Sequence, residues 1–179
     1  NKVHYGKEDT IRKCISCNIG CSGHRIGLNR PIRCSVNPSV NEGEEYRSWK
    51  VKKPCNVVVI GGGTAGLEAA CTAAEVGCTT FLIEKEDHLG GLSVEISKIP
   101  DKKRLRDFPD YLIHRAEKLR NLITFTSTEA TPSFVKMLKP DFIINATGST
   151  PLLPPISGLR ENIDASGNRV SGILGMIRQ

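Results

Sequence analysis

The sequence has few aromatic residues and no long apolar run, and each absence excludes a class of function. Its 179 residues include five Phe, three Tyr and one Trp, too few for a surface on which nucleic-acid bases stack. No apolar run approaches the roughly 20 residues that span a bilayer, and residues 1–4 lack the basic and then apolar pattern of a signal peptide. We therefore expect a cytoplasmic protein that binds neither nucleic acid nor a membrane.

The chain also lacks a strong excess of either charge. Its 25 Lys and Arg against 19 Asp and Glu give a net charge of +6, and the basic residues are scattered, which suits a bound anion better than a nucleic acid. With 39% hydrophobic residues the chain is able to bury a core of ordinary size. These values indicate one domain, or one domain with an appendage.

Residues 1–53 show almost no helical or strand periodicity and are rich in Gly, Asn, Pro, Ser and Cys. Such a segment buries too little apolar surface to fold alone, so another interaction must hold it together. Four cysteines have the spacing C-x2-C-x3-C-x12-C, namely Cys14, Cys17, Cys21 and Cys34. In a chain without a secretory signal this spacing favours metal or redox chemistry over disulfides. An iron–sulfur cluster and a zinc ion are both consistent with it, and zinc would also accept three of these cysteines with His24.

From residue 54 the pattern alternates between strands and helices. Strands are predicted at 56–60, 79–84, 122–127 and 141–145, and helices at 64–76, 105–121 and 131–138. A loop is expected around Gly90 and Gly91, and the chain after residue 155 gives no clear prediction. The alternation predicts an α/β fold with a mainly parallel, Rossmann-like sheet over residues 54–160. The remaining cysteines, Cys55, Cys71 and Cys78, lie in apolar surroundings and are predicted to pack in the core.

A glycine loop follows the first predicted strand. Gly61, Gly63 and Gly66 form G-x-G-x-x-G at the start of the next helix, and Glu84 ends the second strand. In this setting the glycines allow a tight turn and a close approach to a pyrophosphate, while the acidic residue accepts hydrogen bonds from ribose hydroxyls. The pattern predicts a dinucleotide site, but by itself leaves FAD and NAD as alternatives.

Two later features favour FAD: the pair Gly90 and Gly91, and the sequence Asn-Ala-Thr-Gly at 145–148. Here the chain resembles the FAD domains of the pyridine nucleotide–disulfide oxidoreductase superfamily. The resemblance implies that Glu84 binds the adenosine ribose, that Gly91 and Leu92 lie near the flavin, and that Thr147 and Gly148 pass close to the pyrophosphate. The full set of cofactor-binding residues expected on this basis is Gly61, Gly63, Thr64, Ala65, Gly66, Glu84, Lys85, Gly91, Leu92, Ala130, Thr147 and Gly148.

A more specific resemblance begins at the cysteines. The runs CISCNIGC at 14–21 and PIRCSVNP at 31–38, followed by a nucleotide fold, resemble the 2,4-dienoyl-CoA reductase, enoate reductase and trimethylamine dehydrogenase family. Residues 99–112 resemble its enoate reductase branch. Members join an FMN barrel of the Old Yellow Enzyme type, a four-cysteine [4Fe-4S] site, an FAD domain and an NAD(P)H domain. The resemblance implies that Cys14, Cys17, Cys21 and Cys34 ligate the cluster, which carries electrons between FAD and FMN.

The resemblance also implies further domains that this sequence does not contain. No barrel precedes the first cysteine and no second G-x-G-x-x-G follows, so FMN and NAD(P)H would bind in other domains of the same or a partner chain. We expect part of a larger, homo-oligomeric enzyme, with residues 161–179 as a connector, and name no catalytic residue. Thr64 and Leu92 stand where relatives often have Pro and Gln. The alternatives are a zinc module fused to a nucleotide-binding domain and a free-standing reductase subunit that pairs with a barrel protein.

Overall fold

The computed structural model describes residues 2–41, 49–164 and 171–178. Within the predicted segments 1–53 and 161–179, positions 1, 42–48, 165–170 and 179 lie outside the described residues. Helices and strands follow in this order: a 3₁₀ turn Glu8–Thr10, a π-helix Ile19–Gly27, β1 Asn56–Ile60, α1 Thr64–Glu75, β2 Thr79–Ile83, α2 Leu92–Ile96, a 3₁₀ helix Pro100–Arg106, α3 Asp107–Glu117, β3 Leu122–Phe125, α4 Pro132–Met137, β4 Phe142–Asn145, α5 Leu159–Asn162 and α6 Ile173–Arg178. None of the helices in the described ranges is long and apolar enough to cross a bilayer.

The described strands form one parallel sheet in the order β3-β2-β1-β4. β1 lies inside the sheet, where Val58 is paired with Phe81 of β2 and Ile143 of β4. The three valines of β1 are buried, as expected of β-branched residues in a parallel strand covered on both faces. The predicted α/β fold is confirmed.

Helices cover both faces of the sheet. On one face, Leu67 of α1 and Leu112 of α3 pack in a cluster with Val59. On the other face, Val135 of α4 packs against Val58. Alternate residues of β1 therefore belong to opposite layers, and the sheet is the middle layer of three.

The three cysteines outside the N-terminal set lie where the sequence predicts. Cys71 and Cys78 are buried and Cys55 packs against the same cluster. Burial raises the pKa of the Cys71 thiol to about 11, so this thiol is neutral and unreactive at physiological pH. These residues contribute to packing rather than to a site.

Two helices differ from the sequence prediction. The helix predicted at 105–121 ends at Glu117 and is preceded by a 3₁₀ helix. The chain leaves the helix before Asn121 because that side chain donates hydrogen bonds to the carbonyl oxygens of Ala74 and Cys78, both at 2.8 Å. In addition, α2 follows Gly91 directly, where only a loop was expected.

The N-terminal segment is more ordered than its composition predicts. A π-helix covers Ile19–Gly27, with the wide spacing of that helix shown by the hydrogen bonds from Gly23 N to Asn18 O and from Leu28 N to Gly23 O. Glycine lowers the steric cost of such a turn. Composition alone therefore underestimated the regular structure of this segment.

Candidate functional site

The carboxyl ends of β1, β2 and β4 meet at a cleft of about 880 Å³. The strand order reverses between β1 and β4, and parallel sheets bind ligands at such a reversal. The structure brings ten of the twelve predicted cofactor-binding residues to the wall of this cleft: Gly61, Gly63, Thr64, Ala65, Glu84, Lys85, Gly91, Leu92, Thr147 and Gly148.

The glycines of the first loop have different roles. Gly61 has a φ of +104°, and a Cβ there would lie 2.3 Å from the carbonyl oxygen of Ala146. A Cβ on Gly66 would lie 1.8 Å from the carbonyl oxygen of Gly61. A Cβ on Gly63 would meet no atom of the described residues within 4 Å. Gly61 and Gly66 are thus needed for packing of the loop, whereas the space beside Gly63 is open for a ligand.

Glu84 holds the glycine loop against the end of β2. Its Oε2 accepts a hydrogen bond from Gly62 N at 2.5 Å, and its Oε1 accepts one from Glu86 N at 2.9 Å. The residue is 8% exposed, so both contacts lie largely away from water. Glu84 is therefore a buried carboxylate, held by backbone donors, at the wall of the cleft.

The second glycine pair packs directly on the first loop. Gly90 N donates to Gly62 O at 2.8 Å, and a Cβ on Gly91 would lie 3.0 Å from the Cα of Gly63. Gly90 and Gly91 both have positive φ, +108° and +56°, which glycine adopts without strain. α2 begins directly after this pair, and its first residue, Leu92, is 40% exposed and lies at the cleft.

Two of the predicted cofactor-binding residues, Gly66 and Ala130, are not among the residues that line the cleft. Gly66 lies beneath the loop, and Ala130 packs against the cluster of Val58 and Val135. Residues that the sequence analysis missed also line the cleft, namely Glu86, His88, Ser93, Glu95, Ala146, Ser149, Thr150 and Leu174. Several of these are polar residues close to Gly90 and Gly91 in sequence, so their position next to the second glycine pair would have predicted them. No local pattern predicts Leu174 of α6, because it is more than 80 residues from that pair in sequence.

The four N-terminal cysteines all have free thiols in the described structure. Cys14 is exposed and the other three are half-buried. Cys17 Sγ lies 3.3 Å from Ser35 Oγ, and this hydroxyl lowers the pKa of the Cys17 thiol, with backbone N–H groups adding to the effect. Cys14 Sγ accepts a hydrogen bond from Ser16 N at 3.3 Å. Donors directed at sulfur stabilise the thiolate form that binds metals.

A backbone contact joins the residue before Cys21 to the residue before Cys34. Arg33 N donates to Gly20 O at 2.7 Å, and a Cβ on Gly20 would lie 2.5 Å from the carbonyl oxygen of Arg33. Cys21 and Cys34 are therefore next to residues in direct contact. The thiols themselves are not assembled: within residues 2–41, 49–164 and 171–178, no three His, Cys, Asp or Glu side chains are arranged to hold a metal ion. The donor chemistry fits a cluster, while the arrangement of the ligands is not formed.

Comparisons with known proteins relate this chain to FAD-dependent oxidoreductases. A family described as FAD dependent oxidoreductase matches residues 56–131. An NADH oxidase of Thermoanaerobacter brockii is 44% identical over 161 residues, 88% of this chain and 24% of that protein. A cinnamate reductase of Clostridium sporogenes is 34% identical over the same share of both chains. The solved structure of a 2-naphthoyl-CoA reductase with 2-naphthoyl-CoA matches with a TM-score of 0.82 and 30% identity, covering 90% of this chain and 25% of that one.

The chain belongs to the 2,4-dienoyl-CoA reductase, enoate reductase and trimethylamine dehydrogenase family. It is thus part of a family of FAD-containing oxidoreductases. It spans about a quarter of the length of the curated relatives it matches, 24% in both cases given above. The matches to these two relatives cover 88% of the chain.

Proposed function

We propose that this chain is the electron-transfer portion of an NAD(P)H-dependent flavin oxidoreductase, and that it binds FAD in the cleft and a [4Fe-4S] cluster through its four N-terminal cysteines. Electrons from NAD(P)H would pass by way of the FAD and the cluster to an FMN in a barrel domain, which reduces an activated carbon–carbon double bond. The observation that carries the proposal is the Glu84 carboxylate, fixed on the glycine loop where the strand order reverses.

The cleft supports binding of the adenosine half of FAD. Thr64 and Ala65 begin α1 at the cleft, so the free N–H groups at the start of this helix face the space where a pyrophosphate would lie. Gly63 leaves room for that group, and the Glu84 carboxylate is placed to accept hydrogen bonds from the ribose. Thr147 and Gly148, after β4, complete the wall on the other side.

The cysteines support the cluster. Three of them lie on one stretch of eight residues, and the contact between Gly20 and Arg33 joins that stretch to the backbone next to the fourth, Cys34. Thiolates are the ligands that iron–sulfur clusters require, and hydrogen bonds to sulfur tune such sites. When bound, FAD supplies a two-electron acceptor for the nicotinamide and the cluster supplies a one-electron carrier.

The names of two relatives support the proposed substrate class. One is a cinnamate reductase and the other a 2-naphthoyl-CoA reductase, and both names fit a reductase that acts on a carbon–carbon double bond conjugated to a carbonyl or carboxylate group. We propose that an FMN barrel and an NAD(P)H domain, on the same or a partner chain, act with this portion, and that the full-length enzyme is a homo-oligomer. This portion contributes binding and electron transfer, and no proton donor for the substrate.

Reconstitution of single-cysteine variants tests the cluster part of the proposal. The reduced chain is treated anaerobically with iron and sulfide, and visible absorbance is compared among wild type, Cys17→Ser, Cys34→Ser and the control Cys55→Ser. We expect the first two variants to lose the absorbance and the control to keep it, because Cys55 packs in the core. Equal absorbance in all four proteins would refute ligation by the N-terminal cysteines.

Titration with FAD and with ADP tests the cleft. Because the glycine loop and Glu84 would bind the adenosine and pyrophosphate that both nucleotides contain, we expect the two to bind with similar affinity. Binding of neither would refute the cleft as the nucleotide site. An FAD affinity far above that for ADP would instead show that this chain alone also binds the isoalloxazine ring.

A further inference from the structure

Arg12 lies two residues before Cys14 and contacts three separate parts of the chain. We propose that Arg12 is a positioning residue that fixes the cysteine segment, residues 14–34, in one place relative to the dinucleotide cleft. The inference rests on the proposed function, in which electrons pass between these two sites, because electron transfer depends on a fixed separation. The inference depends on contacts of the Arg12 guanidinium with the chain just after the cysteine segment and with the helices α1 and α3.

Arg12 is hydrogen-bonded to a residue that follows the cysteine segment. Its NH1 donates a hydrogen bond to the carbonyl oxygen of Val36 at 2.7 Å. Val36 follows Cys34 by two residues and is 4% exposed. The hydrogen bond therefore joins the chain just before the first cysteine to the chain just after the last one.

On the cleft side, Arg12 reaches both helices of one layer. Its NH2 lies 3.6 Å from Glu68 Oε1 on α1, and its guanidinium lies 5.0 Å from the ring centroid of Tyr111 on α3. Glu68 is one turn beyond Thr64, where α1 begins at the cleft. The contact thus links the cysteine segment to the helix whose first residues form the dinucleotide site.

The Glu68 carboxylate is itself held in place. Arg115 NH1 lies 2.9 Å from Glu68 Oε1, and Arg115 also makes two contacts of 2.6 Å with the Glu75 carboxylate. The side chains of Arg12, Glu68 and Arg115 are 19%, 24% and 15% exposed. The Oε2 atom of Glu68 is buried and has no hydrogen-bond partner among the described residues. Arg12 therefore binds a rigid, poorly solvated acceptor rather than a mobile surface group.

Only an arginine makes these contacts together. Its planar fork donates in two directions while the guanidinium carbon lies 5.0 Å from the Tyr111 ring centroid, whereas a lysine ammonium is a compact point charge. The neighbouring ion pair between Lys13 and Asp107, at 3.4 Å, has a lysine that is 61% exposed, so it contributes little. Lys13→Gln is accordingly a matched control for the loss of one positive charge.

Hydrogen–deuterium exchange on the reduced, metal-free chain tests the inference. The reporters are the backbone amides of Gly23, Leu28 and Arg33, which donate within the cysteine segment. In Arg12→Lys and Arg12→Gln we expect these amides to exchange about tenfold faster, while Lys13→Gln stays within about twofold of wild type. Wild-type exchange in Arg12→Lys would overturn the inference, because charge alone would then suffice.

Glu68→Gln tests the link to the cleft, and it applies even if Arg12→Gln fails to fold. This variant alters α1 and leaves the cysteine segment untouched. We expect the same three amides to exchange several-fold faster, an effect that a role of Arg12 confined to closing the cysteine segment would not produce. Unchanged exchange would overturn the inference. Since no metal is present, failure of the wild type to take up a cluster would refute the proposed function and leave this result standing.

Discussion

Replacing Gly63 by alanine separates nucleotide binding from folding. Gly63 has φ −70° and ψ −178°, an extended conformation that any residue adopts, and its Cβ would contact no described atom within 4 Å. Alanine also loses less chain entropy than glycine on folding. Gly63 is also the N-cap of α1, where alanine is less favourable than glycine, so the two effects oppose each other and we expect Gly63→Ala to change the free energy of unfolding by no more than about 1 kcal/mol.

The same substitution should weaken nucleotide binding. The added methyl group projects into the open space where a pyrophosphate would approach the loop, and it holds the phosphates away from the N–H groups at the start of α1. Loss of one such charge-assisted contact is worth about 1.4 kcal/mol or more, equivalent to at least tenfold in the dissociation constant. ADP is the suitable probe, because it carries the adenosine and pyrophosphate that this part of the cleft would bind.

Gly66→Ala is the matched control, with the same chemical change one turn away. Its Cβ would lie 1.8 Å from the carbonyl oxygen of Gly61, and backbone must move to relieve this contact. We expect a loss of about 3 kcal/mol in the free energy of unfolding. Urea unfolding followed by circular dichroism measures stability, and isothermal titration with ADP measures binding. Unchanged ADP affinity in Gly63→Ala would exclude the space beside Gly63 as the pyrophosphate site. A loss of stability equal to that of Gly66→Ala would show that this space is not open.

Three further predictions concern the carboxylate, the thiols and turnover. Glu84→Gln should lower ADP affinity about tenfold and reduce the discrimination between ADP and 2′-deoxy-ADP, because a ribose acceptor is lost; titration with both nucleotides measures this, and unchanged discrimination would count against Glu84 as the ribose residue. The Ser35 hydroxyl lowers the pKa of Cys17 and so increases its thiolate fraction at neutral pH. Ser35→Ala should therefore shift the alkylation midpoint of Cys17 to higher pH in a mass-spectrometric assay, whereas Cys71, with a pKa raised to about 11, should stay unmodified at neutral pH; an unchanged Cys17 midpoint would exclude the hydroxyl as the cause. The purified 179-residue chain should not reduce enoates with NADH, since the proposed FMN and NAD(P)H sites lie in other domains; sustained NADH oxidation that depends on the enoate would contradict this.

Features set by local pattern could be predicted from the sequence. The valine-rich strand β1, the glycine loop and the acidic end of β2 each depend on neighbouring residues, and parallel pairing then brings them to one edge. The short helix after Thr131 was also predictable, because the Thr131 side chain accepts a hydrogen bond from Phe134 N at its start.

Features set by distant contacts could not be predicted. The helix predicted at 105–121 is shortened by the hydrogen bonds of Asn121 to residues more than 40 positions earlier. Leu174 reaches the cleft from the last helix, and Arg12 meets Tyr111 across 99 positions of sequence. Nor does the pattern G-x-G-x-x-G distinguish a glycine needed for packing, such as Gly66, from one that borders open space, such as Gly63. That difference appears only when the surrounding atoms are placed.

The iron, zinc and acid-labile sulfide content of the chain, purified without oxygen, tests the proposed electron-transfer role most directly. We expect four irons and four sulfides per chain, as one [4Fe-4S] cluster on four cysteines requires. One zinc per chain without sulfide would leave the FAD-type nucleotide fold in place and contradict the electron-transfer role proposed for the cysteines.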